Sequence, residues 1–83
     1  MNLAFSPTAS RQLSRLEKSV QERIVRKLDF YLAQRQPLQF AEKLNDATAG
    51  EWRFRIGEYR VVFDVRESTI LVLSVGHRKN IYR

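Results

Sequence analysis

The alternation of apolar and polar residues between positions 51 and 65 is the strongest structural signal in the chain. Apolar residues at 52, 54 and 56 alternate with Arg53 and Arg55, and a second run, YRVVFDV, follows. Such alternation predicts two strands that each have one apolar and one polar face. Gly57 and Glu58 lie between the runs. Glycine in the first position of a two-residue loop favours a type II′ β-hairpin.

This predicted hairpin places three arginines on one face. With Gly57-Glu58 as its loop, Arg55 pairs with Arg60 and Arg53 pairs with Val62. The opposite face then carries Trp52, Phe54, Val61 and Phe63. Two arginines directly opposite each other destabilise a sheet. The ordinary alternative is solvent-facing strand residues, but an anion-binding surface explains the arrangement better.

Helical patterns precede the hairpin. Ser6-Pro7 predicts an N-cap followed by proline in the first helical position, which begins a helix from residue 7 to about 17. Ser19 to Glu22, SVQE, matches a capping box and predicts a second helix that begins at its valine. Pro37 stops that helix near residue 35 or 36. The short link between the helices makes an αα-hairpin.

The remaining segments complete the predicted fold. Residues 2–5 form a short first strand, and 38–50 form a connector in which Phe40 and Leu44 suggest one helical turn. ILVLSV at 70–75 predicts a strand buried on both faces. Its register stays open, because the preceding turn has either two or four residues. The order β-α-α-β-β-β predicts one α+β domain over 1–83, an antiparallel sheet with the αα-hairpin packed on one face.

Composition and charge limit the classes of function that the chain can have. The 83 residues include no cysteine and one histidine, which excludes a disulfide framework and argues against a zinc site. No cofactor and no metal are therefore predicted. The N-terminus does not resemble a signal peptide and no run is long enough to span a membrane, so we expect a cytoplasmic protein. A net charge of +6 favours a polyanionic or acidic partner over a merely basic surface.

The arginine row suggests phosphate chemistry. Arginine binds phosphate with a planar fork and can stabilise charge that develops on a phosphodiester. Because arginine is a poor proton carrier, proton transfer needs another group, and His77 and Tyr82 are the nearby candidates. Both lie in the basic tail HRKNIYR, which a strand next to the hairpin brings to the edge of the arginine face. In RNA the 2′-hydroxyl is an internal nucleophile beside the phosphate.

Two segments carry a family resemblance. WRFRIGEYRVVFDV followed by LSVGHRKNIYR, with the AEKL segment before them, resembles the RelE/ParE superfamily of bacterial type II toxins. The RelE type are metal-independent endoribonucleases that cut mRNA in the ribosomal A site through the RNA's 2′-hydroxyl. The resemblance therefore implies mRNA and the ribosome as partners, together with a cognate antitoxin in a hetero-oligomer, and no membrane partner.

The resemblance also implies a role for each matching residue. Arg60 would hold the scissile phosphate, Arg78 would assist the leaving group, and Tyr82 would orient or deprotonate the 2′-hydroxyl. Phosphate binding falls on Arg53, Arg55 and Lys79. His77 stands where the RelE type often has lysine, and a histidine there could take over proton transfer. ParE-type relatives share the fold but poison DNA gyrase without enzymatic activity, and that activity is the alternative.

Overall fold

A five-stranded sheet and a helical hairpin form the structure, a computed structural model that describes residues 1–45 and 49–79. The elements are β1 (Asn2–Phe5), α1 (Pro7–Ser14), α2 (Lys18–Ala33), a 3₁₀ helix (Pro37–Phe40), β2 (Ala41–Lys43), β3 (Trp52–Ile56), β4 (Tyr59–Arg66) and β5 (Thr69–His77). The strand order is β1-β5-β4-β3-β2, and all pairs are antiparallel except β1 with β5. The predicted α+β class and element order are confirmed. The sheet is mixed and not wholly antiparallel as predicted, because β1 pairs with β5 in parallel. The strand β2 is an addition to the prediction.

The start of α1 agrees with the prediction, whereas the link between the helices lies earlier than predicted. The Ser6 hydroxyl accepts a hydrogen bond from the Ala9 amide at 3.0 Å, as an N-cap should. The predicted capping box is wrong, because α2 already begins at Lys18 and Ser19 lies inside it. The Gln21 amide explains the shift. The Gln21 side chain donates to the Leu16 carbonyl at 2.7 Å, and this hydrogen bond satisfies a backbone acceptor just after the end of α1.

The connector contains a helical turn and a strand. The turn is the 3₁₀ helix at Pro37–Phe40, not a turn that extends to Leu44. Phe40 stacks on Tyr31 of α2 with ring centroids 5.0 Å apart, which fixes the turn against the core. Residues Ala41–Lys43 then pair with β3. Backbone pairing with a distant strand therefore decides the conformation here, and a local apolar spacing could not predict it.

The predicted hairpin register is confirmed at every pair. Arg55 lies opposite Arg60, and Phe54 lies opposite Val61. Gly57 adopts φ of 61°, the positive value that a type II′ turn requires in its first central position. Phe54 is fully buried and stacks between Tyr31 and Phe63, at centroid distances of 4.6 and 4.5 Å. The apolar face of the hairpin thus meets α2, which leaves its arginines on the other side of the sheet.

A bulge between Val62 and Phe63 changes the faces along β5. The turn before β5 has two residues, and Phe63 pairs with Val72 while Val62 pairs with Ser74. One extra residue of β5 is therefore inserted at Leu73. The strand is interior, because it lies between β1 and β4. The predicted burial on both faces is wrong, since Ile70, Val72 and Val75 are buried whereas Leu71 on the opposite face is only half-buried. The insertion shifts the alternation by one residue. Each residue after Leu73 therefore faces the side of the sheet opposite to the one it would face without the bulge.

The segment before β3 covers part of the outer face of the sheet. Gly50 adopts φ of 142°, and a Cβ built on it would lie 2.5 Å from Cγ1 of Val62 and 3.2 Å from Cδ1 of Leu73. The Glu51 amide donates to the Asp64 carboxylate at 2.8 Å, which fixes the same segment. Val62 is fully buried although it shares its face with the arginines. Close approach of a glycine backbone explains this burial.

Replacing Gly50 with alanine is expected to lower the free energy of unfolding by about 1–3 kcal/mol, from backbone strain together with the clash against Val62. Urea denaturation measures the loss. Gly57→Ala is the matched control, because φ is also positive there but the nearest atom, Nη1 of Arg23, lies 3.7 Å from the added Cβ. Equal losses in the two variants would show that the contact with Val62 contributes nothing.

Candidate functional site

Three arginines form a row on the outer face of the hairpin. Arg53 and Arg55 alternate with buried residues on β3, and Arg60 faces Arg55 from β4. We call these three residues the arginine row. Arg53 and Arg60 are half-buried, whereas Arg55 is exposed. The structure thus brings together the three strand residues that the sequence analysis grouped, because the core on the other face determines which way β3 and β4 present their polar side chains.

A carboxylate that the sequence analysis did not include lies within this row. Glu42 is on β2, directly opposite Arg53. Its Oε2 accepts from Nη2 of Arg53 at 2.7 Å, and its Oε1 lies 3.0 Å from Nε of Arg55. One carboxylate therefore contacts two neighbouring guanidiniums. Glu42 belongs to the AEKL segment that carries part of the family resemblance, but nothing in that segment indicates a contact with the arginines.

The arginines hold Glu42 in its charged form. The hydrogen bond from Arg53 lowers the pKa of the Glu42 carboxyl below its ordinary value, and the charges of Arg53, Arg55 and Arg60 act in the same direction against a smaller opposing effect of desolvation. The influence of Arg60 shows that all three guanidiniums act on this carboxylate. Three positive charges against one negative charge leave the row positively charged.

This pKa shift predicts a pH dependence of stability. Because the pKa of Glu42 is lower in the folded state, its contribution is present above pH 4.5 and is lost as the pH falls through the folded pKa. We expect Glu42→Gln to be less stable than the wild type at pH 6.5, and we expect the difference to be smaller at pH 3. Urea denaturation at both pH values measures this. The effect is small, since the Glu42 side chain is half exposed.

A matched control is Glu22→Gln, which changes a carboxyl group on the exposed face of α2. At pH 6.5 it should cost less stability than Glu42→Gln, because Glu42 contacts two arginines. A gap for Glu42→Gln that widens as the pH falls would contradict the sign derived for this group.

The basic tail begins beside the loop end of the hairpin. Strand β5 delivers it there, since Gly76 pairs with Arg60 and His77 pairs with Tyr59. The His77 ring contacts the Tyr59 ring edge to face at 5.6 Å. His77 therefore lies on the helix side of the sheet and not on the face of the arginine row. The bulge at Leu73 is the cause, because it exchanges the faces of the residues after it.

The side chains of the tail meet at the hairpin loop. Nε2 of His77 lies 3.3 Å from one oxygen of Glu58, and Nη2 of Arg78 lies 3.9 Å from the other. Lys79 is exposed, and its amide donates to Nδ1 of His77 at 3.2 Å. Tyr82, the other predicted proton carrier, lies outside the described residues. The structure thus places Arg78 beside the hairpin loop, next to Glu58. The position of Tyr82 is not described.

The described residues contain neither a metal-binding cluster nor a membrane-spanning helix. Within residues 1–45 and 49–79, no three His, Cys, Asp or Glu side chains are grouped so that they could hold a metal ion. Neither helix in those ranges combines the length and the apolar character that a membrane crossing requires.

The sequence and the fold both match known toxins. Residues 3–82 match the family described as the ParE toxin of the type II toxin–antitoxin system parDE. The chain is 33% identical over 81 residues to Toxin RelG of Mycobacterium tuberculosis (strain ATCC 25618 / H37Rv), a match that covers 95% of this chain and 92% of the relative.

Solved structures show the same fold. The toxin–antitoxin complex RelBE2 from Mycobacterium tuberculosis contains a chain that is similar with a TM-score of 0.76 and 29% identity, covering 93% of this chain and 96% of that chain. The RelB–RelE antitoxin–toxin complex from Methanococcus jannaschii is similar in fold, with a TM-score of 0.68 and 24% identity over 95% and 94% of the two chains. The predicted family is therefore confirmed: the chain belongs to the RelE/ParE superfamily and is a toxin of a type II toxin–antitoxin system.

Proposed function

We propose that this toxin is an endoribonuclease that cleaves mRNA in the ribosomal A site and thereby inhibits translation and growth. The observation that carries the proposal is the arginine row, which lies on the side of the sheet opposite the helices. Arg55 lies directly opposite Arg60, a pairing of like charges that destabilises a sheet. Such a pairing is useful where an anion binds between the guanidiniums, and the phosphodiester backbone of RNA supplies that anion.

The proposed reaction uses the 2′-hydroxyl of the RNA as its nucleophile. The 2′-oxygen attacks the adjacent phosphorus and loses its proton to a base, and the bond between phosphorus and the 5′-oxygen breaks. The 5′-oxygen leaves with a proton from an acid, so the products are a 2′,3′-cyclic phosphate and a 5′-hydroxyl end. Negative charge grows on the phosphate oxygens during this step. Preorganised cations stabilise that charge more than they stabilise the substrate.

Each part of the site has a proposed role in this step. Arg60 holds the scissile phosphate and stabilises its developing charge, while Arg53 and Arg55 bind phosphate beside it. Arg78 assists the leaving group from the end of β5, and Lys79 contributes to backbone binding. These roles need no group other than the protein's own side chains and the RNA.

Proton transfer has three candidates. His77 lies on the helix side of the sheet. Tyr82 is proposed from the sequence and the resemblance, since it lies outside the described residues. Glu42 is the candidate within the arginine row itself. It is a carboxylate at neutral pH like an ordinary glutamate, and the hydrogen bond from Arg53 lowers its pKa further. A carboxylate in that state can accept a proton, although the same lowering weakens it as a base. Comparing Glu42→Gln, His77→Ala and Tyr82→Phe in the cleavage assay distinguishes the three.

The proposed partners follow from the charge and from the relatives. A cognate antitoxin segment that is acidic or amphipathic would cover the arginine row and form a hetero-oligomer, since the similar chains of RelBE2 and of RelB–RelE belong to toxin–antitoxin complexes. The same basic face would bind mRNA and the ribosome when the antitoxin is absent. An enzyme that acts on ribosomes works in the cytoplasm.

A second candidate function is favoured by one observation. The matching family is described as the ParE toxin of parDE, and ParE-type toxins are the relatives that poison DNA gyrase without enzymatic activity. That function needs protein contacts and not a phosphate site. It therefore predicts toxicity that survives replacement of Arg60, the residue that the ribonuclease needs most.

One experiment separates the two functions. Purified toxin is incubated with ribosomes programmed with a defined mRNA, and the mRNA ends are mapped with ribosomes present and absent. Cuts inside the reading frame that need the ribosome support the endoribonuclease, and cuts without ribosomes would remove the A site from the proposal. A parallel supercoiling assay with DNA gyrase tests the alternative. Blocked supercoiling together with intact mRNA would overturn the endoribonuclease.

A further inference from the structure

The residues around Glu58 form a small network at the loop of the hairpin. The Glu58 carboxylate faces His77 and Arg78, with oxygen to nitrogen distances of 3.3 and 3.9 Å. The Glu58 carbonyl accepts from the Arg78 amide at 2.8 Å. The Lys79 amide in turn donates to Nδ1 of His77. Glu58 therefore contacts two consecutive tail residues by its side chain and one of them also by its backbone.

These contacts determine the state of the His77 ring. Because Nδ1 accepts the hydrogen bond from the Lys79 amide, Nδ1 carries no proton, and the neutral ring must carry its proton on Nε2. Nε2 is the atom that faces Glu58, so it donates to the carboxylate. The Lys79 amide thus selects the tautomer of His77, and the Glu58 carboxylate holds the ring in the orientation in which Nδ1 accepts this hydrogen bond.

We propose that Glu58 is a positioning residue that fixes the beginning of the basic tail beside the arginine row. The inference rests on the proposed endoribonuclease, because the position of Arg78 matters to the reaction only if Arg78 assists cleavage. Gly76 pairs with Arg60, and Arg78 follows two residues later, so the loop carboxylate acts at the junction between the row and the tail. Fixing a group in its reactive geometry is a large part of catalysis, and a misplacement of about 1 Å can cost about 100-fold in rate.

The sign of the effect distinguishes positioning from simple electrostatics. A carboxylate close to bound RNA repels phosphate, so removal of its charge alone should strengthen RNA binding and leave or raise the cleavage rate. Loss of a positioning contact has the opposite effect, because Arg78 and the His77 ring become free to adopt unproductive orientations. A slower reaction after removal of a repulsive charge is therefore the signature of positioning.

The first test measures structure and does not depend on activity. In Glu58→Ala, amide hydrogen exchange at Lys79 should become about tenfold faster, because the His77 ring that accepts its hydrogen bond is released. Exchange at Arg78 should change little, since its acceptor is the backbone carbonyl of residue 58 and remains. Glu58→Gln keeps an acceptor for Nε2 of His77 and should restore the protection of Lys79. Unchanged exchange at Lys79 in Glu58→Ala would overturn the proposal.

The second test measures single-turnover cleavage at saturating programmed ribosomes. Glu58→Ala should lower this rate about tenfold, and Glu58→Gln should lie between it and the wild type, because glutamine keeps the contact with His77 but loses the ion pair with Arg78. Glu22→Ala removes the same charge from the exposed face of α2 and should cleave at the wild-type rate. A Glu58→Ala enzyme that cleaves as fast as the wild type or faster would overturn the proposal.

The two tests keep this inference separate from the function on which it rests. If the wild type makes no cuts, the endoribonuclease fails, and the exchange experiment still decides whether Glu58 fixes the tail. If the wild type cuts the mRNA and neither the exchange at Lys79 nor the cleavage rate responds to Glu58→Ala, the endoribonuclease stands and the positioning role fails.

Discussion

Replacing Arg60 with alanine is expected to lower the rate of mRNA cleavage on programmed ribosomes by about 100- to 1000-fold, the range found when one preorganised donor to a developing negative charge is removed. Arg60 is the half-buried member of the arginine row that faces Arg55 across the hairpin. Its charge is held in place by the strands and requires no reorganisation during the reaction. The loss should appear in the single-turnover rate at saturating ribosomes, because the interaction strengthens in the transition state.

The controls for this prediction come from the same strand. Arg66→Ala removes an exposed arginine from the far end of β4, where the guanidinium lies 3.7 Å from Asp64, and it should leave the cleavage rate unchanged. Arg60→Lys keeps the charge but not the planar fork, so its rate should lie between the wild type and Arg60→Ala. Folding of each variant is checked by urea denaturation. A folded Arg60→Ala that cleaves at the wild-type rate would remove Arg60 from the mechanism.

The hairpin was predictable because two independent signals determine its register. Period-two alternation fixes which residues share a face, and the two-residue loop with Gly57 fixes which residues are opposite each other. Together they place Arg55 opposite Arg60 with no information about the rest of the fold. The start of α1 was predictable for a similar reason, since Ser6 and Pro7 act on the residues directly after them.

The role of Glu42 in the site was not predictable, because it depends on pairing between distant residues. Strand β2 has three residues, too few to show a period, and its partner Arg53 lies eleven positions away. An acidic side chain in a connector gives no sign that it will contact two arginines. The position of His77 has a comparable cause. A single extra residue at Leu73 reverses the faces of everything after it on β5, and a bulge leaves no pattern that distinguishes it from a longer turn.

The arginine row also depends on the residue between its two members on β3. Phe54 lies between Arg53 and Arg55, is fully buried and stacks between Tyr31 and Phe63. Its side chain therefore connects α2 to the centre of the sheet. The orientation of both arginines follows from this burial, since adjacent residues of a strand point to opposite faces.

Phe54→Ala is expected to lower the free energy of unfolding by about 3–5 kcal/mol, because it removes a buried ring and leaves a cavity in the stack. A small domain has only about 5–15 kcal/mol of stability in total, so a substantial unfolded fraction is expected on warming. Urea denaturation at 25 °C measures the loss. Phe30→Ala is the matched control, since Phe30 touches the same aromatic group but is half exposed, and it should cost much less.

The same variant tests how the core contributes to function. Where Phe54→Ala remains folded, the arginines still alternate on β3, and the single-turnover cleavage rate of the folded fraction should fall less than in Arg60→Ala. Phe54→Leu fills most of the space, so it should recover most of the stability. A Phe54→Ala protein as stable as Phe30→Ala would show that the stack of Tyr31, Phe54 and Phe63 does not hold the hairpin, and the fixed geometry of the arginine row would then need another origin.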